Sequence, residues 1–159
     1  MDKLEFKGEF VCAAVKRAVN SIAGKIPVID DRIPQKCESP YFLVLESGVV
    51  IERRLGRCFE RIHSIEVYFK PKKSDVFLRE CLHWRDPLLR ALEYIHIDTQ
   101  LSGGSVVRAP CRCSGPSCEM VDYEGGALMY RASYRVRCRF ERTHSDVMEK
   151  IHVEPLVTE

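Results

Sequence analysis

Apolar positions along this chain change period several times, and each change marks an element. Phe6, Val11, Ala14, Val15, Ala18, Val19 and Ile22 recur at three- and four-residue steps, with Lys16, Arg17 and Asn20 on the opposite side. That spacing predicts an amphipathic helix over 6–23, stopped by Gly24 and followed by Pro27. Ile26, Val28 and Ile29 then predict a short strand. The polar, proline-bounded stretch 30–40 predicts a loop. From Tyr41 the period shifts towards two. Tyr41 to Glu46 is an apolar run of strand length, Gly48 punctuates it, and Val49-Val50-Ile51 resumes the β-branched signal. After a polar turn around Gly56, residues 59–69 predict a longer strand with Ile65, Val67 and Phe69 on one face, closed by Pro71.

A second helix is predicted from a Ser74 or Asp75 cap through about Ile95, on the helical spacing of Phe77, Cys81, Trp84, Leu88, Leu92 and Ile95. Pro87 falls inside it. Either the helix kinks there, or it breaks, with Asp86 capping a new helix that Pro87 begins. The last third is β. Strands are expected over 106–109 and 119–123, and Glu124-Gly125-Gly126 supplies a turn. Leu128, Tyr130, Ala132, Tyr134, Val136, Cys138 and Phe140 then alternate with Arg131, Ser133, Arg135, Arg137 and Arg139. Seven apolar positions in phase predict a half-buried antiparallel strand. A weaker strand or turn is expected over 148–153. With no repeat and no low-complexity linker, the expectation is one domain over 1–159. Its class is α+β, an antiparallel or mixed sheet with two main helices packed on one face.

Composition narrows the class without changing it. The chain has 159 residues, 45% apolar and 30% charged, with a net charge of +2, which excludes a mainly disordered, collagen-like or coiled-coil protein. The charge balance argues against specific nucleic-acid binding. No stretch approaches 18 consecutive apolar residues, so no membrane partner is expected. The N-terminal segment never reaches the uninterrupted apolar core of an export signal. The eight cysteines are therefore expected as free thiols in a reducing compartment.

Cys111-x-Cys113-x4-Cys118 is the most suggestive chemical cluster. Three thiols flanking a Ser114-Gly115-Pro116 loop would need a fourth ligand, Cys138 or a histidine, to complete a zinc tetrahedron, and no second paired motif supplies one. Reduced loop cysteines are the simpler reading, with a small zinc- or ligand-binding module as the rival function. The five histidines are scattered. His83, beside Trp84, reads as a surface residue, and His63 as one on an exposed strand face. No nucleophile elbow, phosphate loop or metalloprotease motif occurs, so neither catalysis nor a cofactor is expected.

The arginines carry more. Residues 131–142 hold five arginines and one glutamate, a local net of +4, and residues 52–61 have a net of +2. Residues 143–159 hold four acids and one lysine, a net of −3. One reading is a solvated strand face, and a nucleic-acid face is another. A third is that opposite patches meet between copies of the chain, as in a head-to-tail ring, with Arg131, Arg135, Arg137 and Arg139 in the contact.

Several segments in order also resemble the small tail terminator proteins of phages of Gram-positive bacteria. The pieces that carry the likeness are Pro40-Tyr41-Phe42, Leu55-Gly56-Arg57, Tyr68-Phe69-Lys70-Pro71, Leu92-Glu93-Tyr94-Ile95 and the long strand after Leu128. Together they cover about 8–153. Pro87 and the Cys111–Cys118 segment depart from the pattern. The resemblance implies a virion structural protein of phage, prophage or tail-like bacteriocin. It would assemble as a ring, typically of six subunits, on the last layer of the tail tube. Its implied partners are further copies of itself, the tail tube protein and a head-completion protein, and its place is the virion tail after synthesis in the host cytoplasm.

Overall fold

Two helices lie in the hollow of one curved six-stranded sheet in the computed structural model, which describes residues 9–30, 38–55, 58–100 and 106–139. The elements are α1 (Glu9–Ala23), β1 (Val28–Ile29), β2 (Tyr41–Arg53), β3 (Cys58–Lys70), α2 (Phe77–Ala91), β4 (Tyr94–Gln100), β5 (Val106–Val121) and β6 (Ala127–Arg139). The strand order is β1-β2-β3-β6-β5-β4, with β1 parallel to β2 and every other pair antiparallel. The α+β class with helices on an antiparallel-dominated, mixed sheet holds. The weaker strand or turn expected over 148–153 lies outside the described residues.

The α1 stripe buries Val11, Ala14, Val15, Val19 and Ala23 as its spacing requires. α1 touches β1 and β2 on one flank and β4 on the other, so the sheet bends around it. Arg17 fastens the far flank by donating to the His96 carbonyl at 2.9 Å. The core face of the sheet follows strict alternation: Phe42 and Val44 on β2, Ile65, Val67 and Phe69 on β3, and Leu128, Tyr130, Ala132 and Tyr134 on β6. α2 closes over them with Cys81, Leu88 and Leu92.

Three expectations need correction. α2 runs unbroken through Pro87 and ends at Ala91, so Ile95 is not helical but sits in β4. Leu92 is the C-cap, and its amide still donates to the Leu88 carbonyl at 3.0 Å. The signal for β4 is present: Ile95 and Ile97 point inward while Tyr94 and His96 are exposed, a period of two that the preceding helical spacing masks. The third correction joins two strands. Residues 106–109 and 119–123 belong to the single β5, which pairs with β4 through Arg112 and with β6 from Cys113 onward. Each half of β5 needs hydrogen bonds on one side only, so Pro110 is tolerated. Gly115 and Pro116 sit where the register slips between Ser114 and Ser117, with Gly115 at φ +58°, the left-handed region glycine favours.

Candidate functional site

Cys111, Cys113 and Cys118 therefore lie in a strand and not in a flexible loop. Cys111 and Cys113 are two apart and share the core side of β5, and Cys118 lies opposite Tyr130. The Cys111 thiol donates to the Arg135 carbonyl at 3.3 Å. Burial pushes the Cys111 thiol up and the Cys118 thiol to about 11. Both favour the protonated form, the opposite of what a zinc ligand needs. Among the described residues, no three His, Cys, Asp or Glu side chains are gathered as a metal would require. Cys81, Cys111, Cys113 and Cys118 are free thiols.

His63 does not occupy an exposed face. It is 0% exposed, in phase with Ile65, Val67 and Phe69, and its Nδ1 is hydrogen-bonded to the Glu46 carboxylate. That shared phase was the available signal. His83 is exposed and stands edge-on to Trp84. Nearby in the core, Tyr134 and Tyr130 both donate to the Leu92 carbonyl, at 2.7 and 3.4 Å, and burial raises both phenols. The two phenols are satisfied internally, whereas Glu46, the partner of His63, lines an open hollow of about 820 Å³ between α1 and β2 together with Cys12, Lys16, Asp30 and Val49.

Arg131, Arg135 and Arg137 of β6 do lie on the outward face. Reading across β2, β3 and β6, the helix-free side carries Glu52–Glu60–Arg137, then Val50–Ile62–Arg135, then Leu45–Glu66–Arg131. Arg131 meets Glu66 at 2.9 Å, Arg135 meets Glu52 and Glu60 at 3.1 and 3.2 Å, and Arg137 meets Glu60 at 3.7 Å. Arg54 adds contacts to Glu60 and Glu52 at 3.0 and 3.3 Å. Hydrogen bonds from Arg54 and Arg135 hold the Glu60 carboxyl below its ordinary range. Four arginines against three glutamates leave a small positive excess, so the surface is an ionic network and not a bare basic patch. The Arg139 side chain and the acidic segment 143–159 lie outside the described residues.

Two apolar surfaces escaped the sequence reading. An extra residue in β2 between Glu46 and Gly48 shifts the register against β3, and one added residue swaps which side chains face which side. Beyond it, Val49 and Ile51 take the helix side of the sheet and Val50 the other. Val49, Val50 and Ile51 are 40%, 57% and 59% exposed, and Leu55 at the hairpin end is 94% exposed. At the opposite end, α2 leaves Leu78 and Leu82, one helical turn apart, 50% and 43% exposed. On its other flank lies a hollow of about 450 Å³ lined by Ile26, Pro40, Phe69 and Trp84.

Fold and surfaces together define a small α+β protein with an ionic network on the helix-free sheet face and exposed apolar side chains on the β2–β3 hairpin and the start of α2. A scan against protein families matches residues 11–146 to the family described as phage tail terminator protein. The chain belongs to the phage tail terminator family, and its role is structural, in the phage tail. No curated protein matches the chain. Among the described residues, no helix is long and apolar enough to cross a membrane.

Proposed function

We propose that this protein forms a ring of six copies on the last layer of the tail tube, ends tube growth, and presents the surface to which the head side attaches. The observation that carries the reading is the family match over 11–146. The partners are then further copies of the chain, the tail tube protein and a head-completion protein, met in the host cytoplasm before the virion is complete. The work is done by interface geometry, with neither catalysis nor a cofactor. The outward ionic face, with Arg131, Arg135 and Arg137, is assigned to contact between copies, and Arg139 is assigned to the same contact. Pairs already held by Glu52, Glu60 and Glu66 fix the arginine heads before a neighbour arrives, which lowers the ordering cost of association.

The test is deletion of the gene in the phage that carries it, with tails measured by electron microscopy. Tubes of uncontrolled length without heads are expected, and restoration of uniform, head-joined tails by the gene supplied in trans. Uniform, head-joined tails in the complete absence of the protein would overturn the reading.

A further inference from the structure

We infer that the exposed outer half of the β2–β3 hairpin in one copy docks against the Leu78–Leu82 seam of α2 in the next copy. This inference rests on the ring reading and names its subunit contact. Most large exposed apolar side chains among the described residues fall into two groups, one on the hairpin and one on the start of α2. The groups sit at opposite ends of β3. Arg53 pairs with Phe59 at the hairpin end, whereas Phe42 pairs with Phe69 at the end that leads into α2. Val49 pairs with His63 and Ile51 with Arg61, so six to eight residue steps of strand, roughly 20–26 Å, separate these side chains from the Phe69 end, and one copy does not bring its own patches together.

Two different sticky surfaces on one chain, far apart, are what a head-to-tail contact requires; a two-fold contact needs only one self-complementary patch. Among the described residues, the outer half of the hairpin is also a sheet edge to which no further strand pairs. Phe42 N–H donates outward to the Pro27 carbonyl at 2.9 Å, and β1 covers β2 only at Phe42 and Leu43. Beyond that, the β2 edge carries a bulge between Glu46 and Gly48 and charges at Glu52 and Arg53, which limit strand-to-strand pairing and leave the exposed side chains as the docking surface. One pair of opposite charges fits as well. Arg53 is in line with Val49 and Ile51 on the helix side of β2, and Asp86, its side chain 68% exposed and 3.6 Å from the neighbouring Arg85, lies one turn beyond Leu82. Setting Val49 and Ile51 on the two leucines brings Arg53 towards Asp86.

Tails are purified from cells whose only source of the protein carries a benzophenone amino acid at position 51, then irradiated and digested. Position 51 is on the surface, so the fold should tolerate it. The expected product has the mass of two copies and joins position 51 to peptides spanning 78–89. Cross-links only to another tail protein, only to a different surface of a second copy, or none at all would overturn the contact. A ring seen at the tail end together with such a negative result would leave the ring standing and remove this contact alone. A charge exchange provides a second measurement. Arg53→Asp and Asp86→Arg should each lower complementation at least tenfold, and the two together should restore most of it. A double variant no better than either single one would overturn the pairing.

Discussion

Lys70 shows how far a single side chain can organise this molecule. It is 7% exposed, and its ammonium donates to the carbonyls of Tyr123, Glu124 and Gly126, at 3.3 Å to the first and 3.0 Å to the last. The turn between β5 and β6 holds Glu124, Gly125 and Gly126 at positive φ, so its carbonyls converge on one point that a cation fills. Lys70→Met should lower stability by roughly 1.5–3 kcal/mol, the range for hydrogen bonds to a charged group, read as a lower urea midpoint. An unchanged midpoint would show that water replaces the ammonium at no cost. The thiols give a pH test. In the fold Cys118 titrates at about 11, whereas a free thiol titrates near 8.5. Between those values the folded chain holds the proton and the unfolded chain has lost it, so stability falls as pH rises across that window. The raised Tyr130 and Tyr134 phenols extend the loss above pH ~10. The urea midpoint should therefore drop from pH 8 to pH 10.5, and Cys118→Ala should lessen the drop. A flat profile would contradict the burial of these groups.

At the level of elements, legibility depended on whether one periodic signal ran alone. β6 reads clearly because seven apolar positions alternate with four arginines and Ser133, and the structure pairs it on both sides. β4 is hidden because Leu88 and Leu92 carry helical spacing straight into Ile95, where the chain changes geometry without a glycine or proline. β5 was divided because Pro110, Gly115 and Pro116 are strong breakers in isolation. Only knowledge of which side each half pairs on makes them acceptable. Glycine at 48 marks a bulge, and its consequence, the reversal of inside and outside along β2, follows from register that the sequence does not display. Pro87 is the reverse case, a breaker that does not break. It contributes no amide to α2 in the third turn, where tertiary packing of Leu88 and Leu92 holds the helix together. Pro87→Ala should restore that hydrogen bond and raise stability by about 1–3 kcal/mol, measured as a higher thermal midpoint. A lower midpoint would mean that the proline relieves a strain elsewhere in α2.

For the whole molecule, the candidate site was half legible. The outward arginines were placed correctly by alternation alone. Their partners were not, because Glu52, Glu60 and Glu66 reach them only through the register of β2, β3 and β6. Contact between copies through this face gives a direct expectation. Replacing Arg135 and Arg137 by Glu sets like charges against Glu60 and, in the ring, against a neighbour. Like charges across a contact can cost several kcal/mol, enough to break a repeated interface. The double variant should fold, since both side chains point away from the core, yet it should fail to restore uniform tails. Full restoration by a folded double variant would remove the arginine face from assembly. The central claim, that this protein closes the tail tube as a ring, is tested most directly by cryo-electron microscopy of head-free tails carrying a small tag on the protein. The expected image has one six-fold ring of tagged copies at the head-proximal end of every tail of correct length. Tag density along the tube, at the distal tip, or absent from tails of correct length would contradict it.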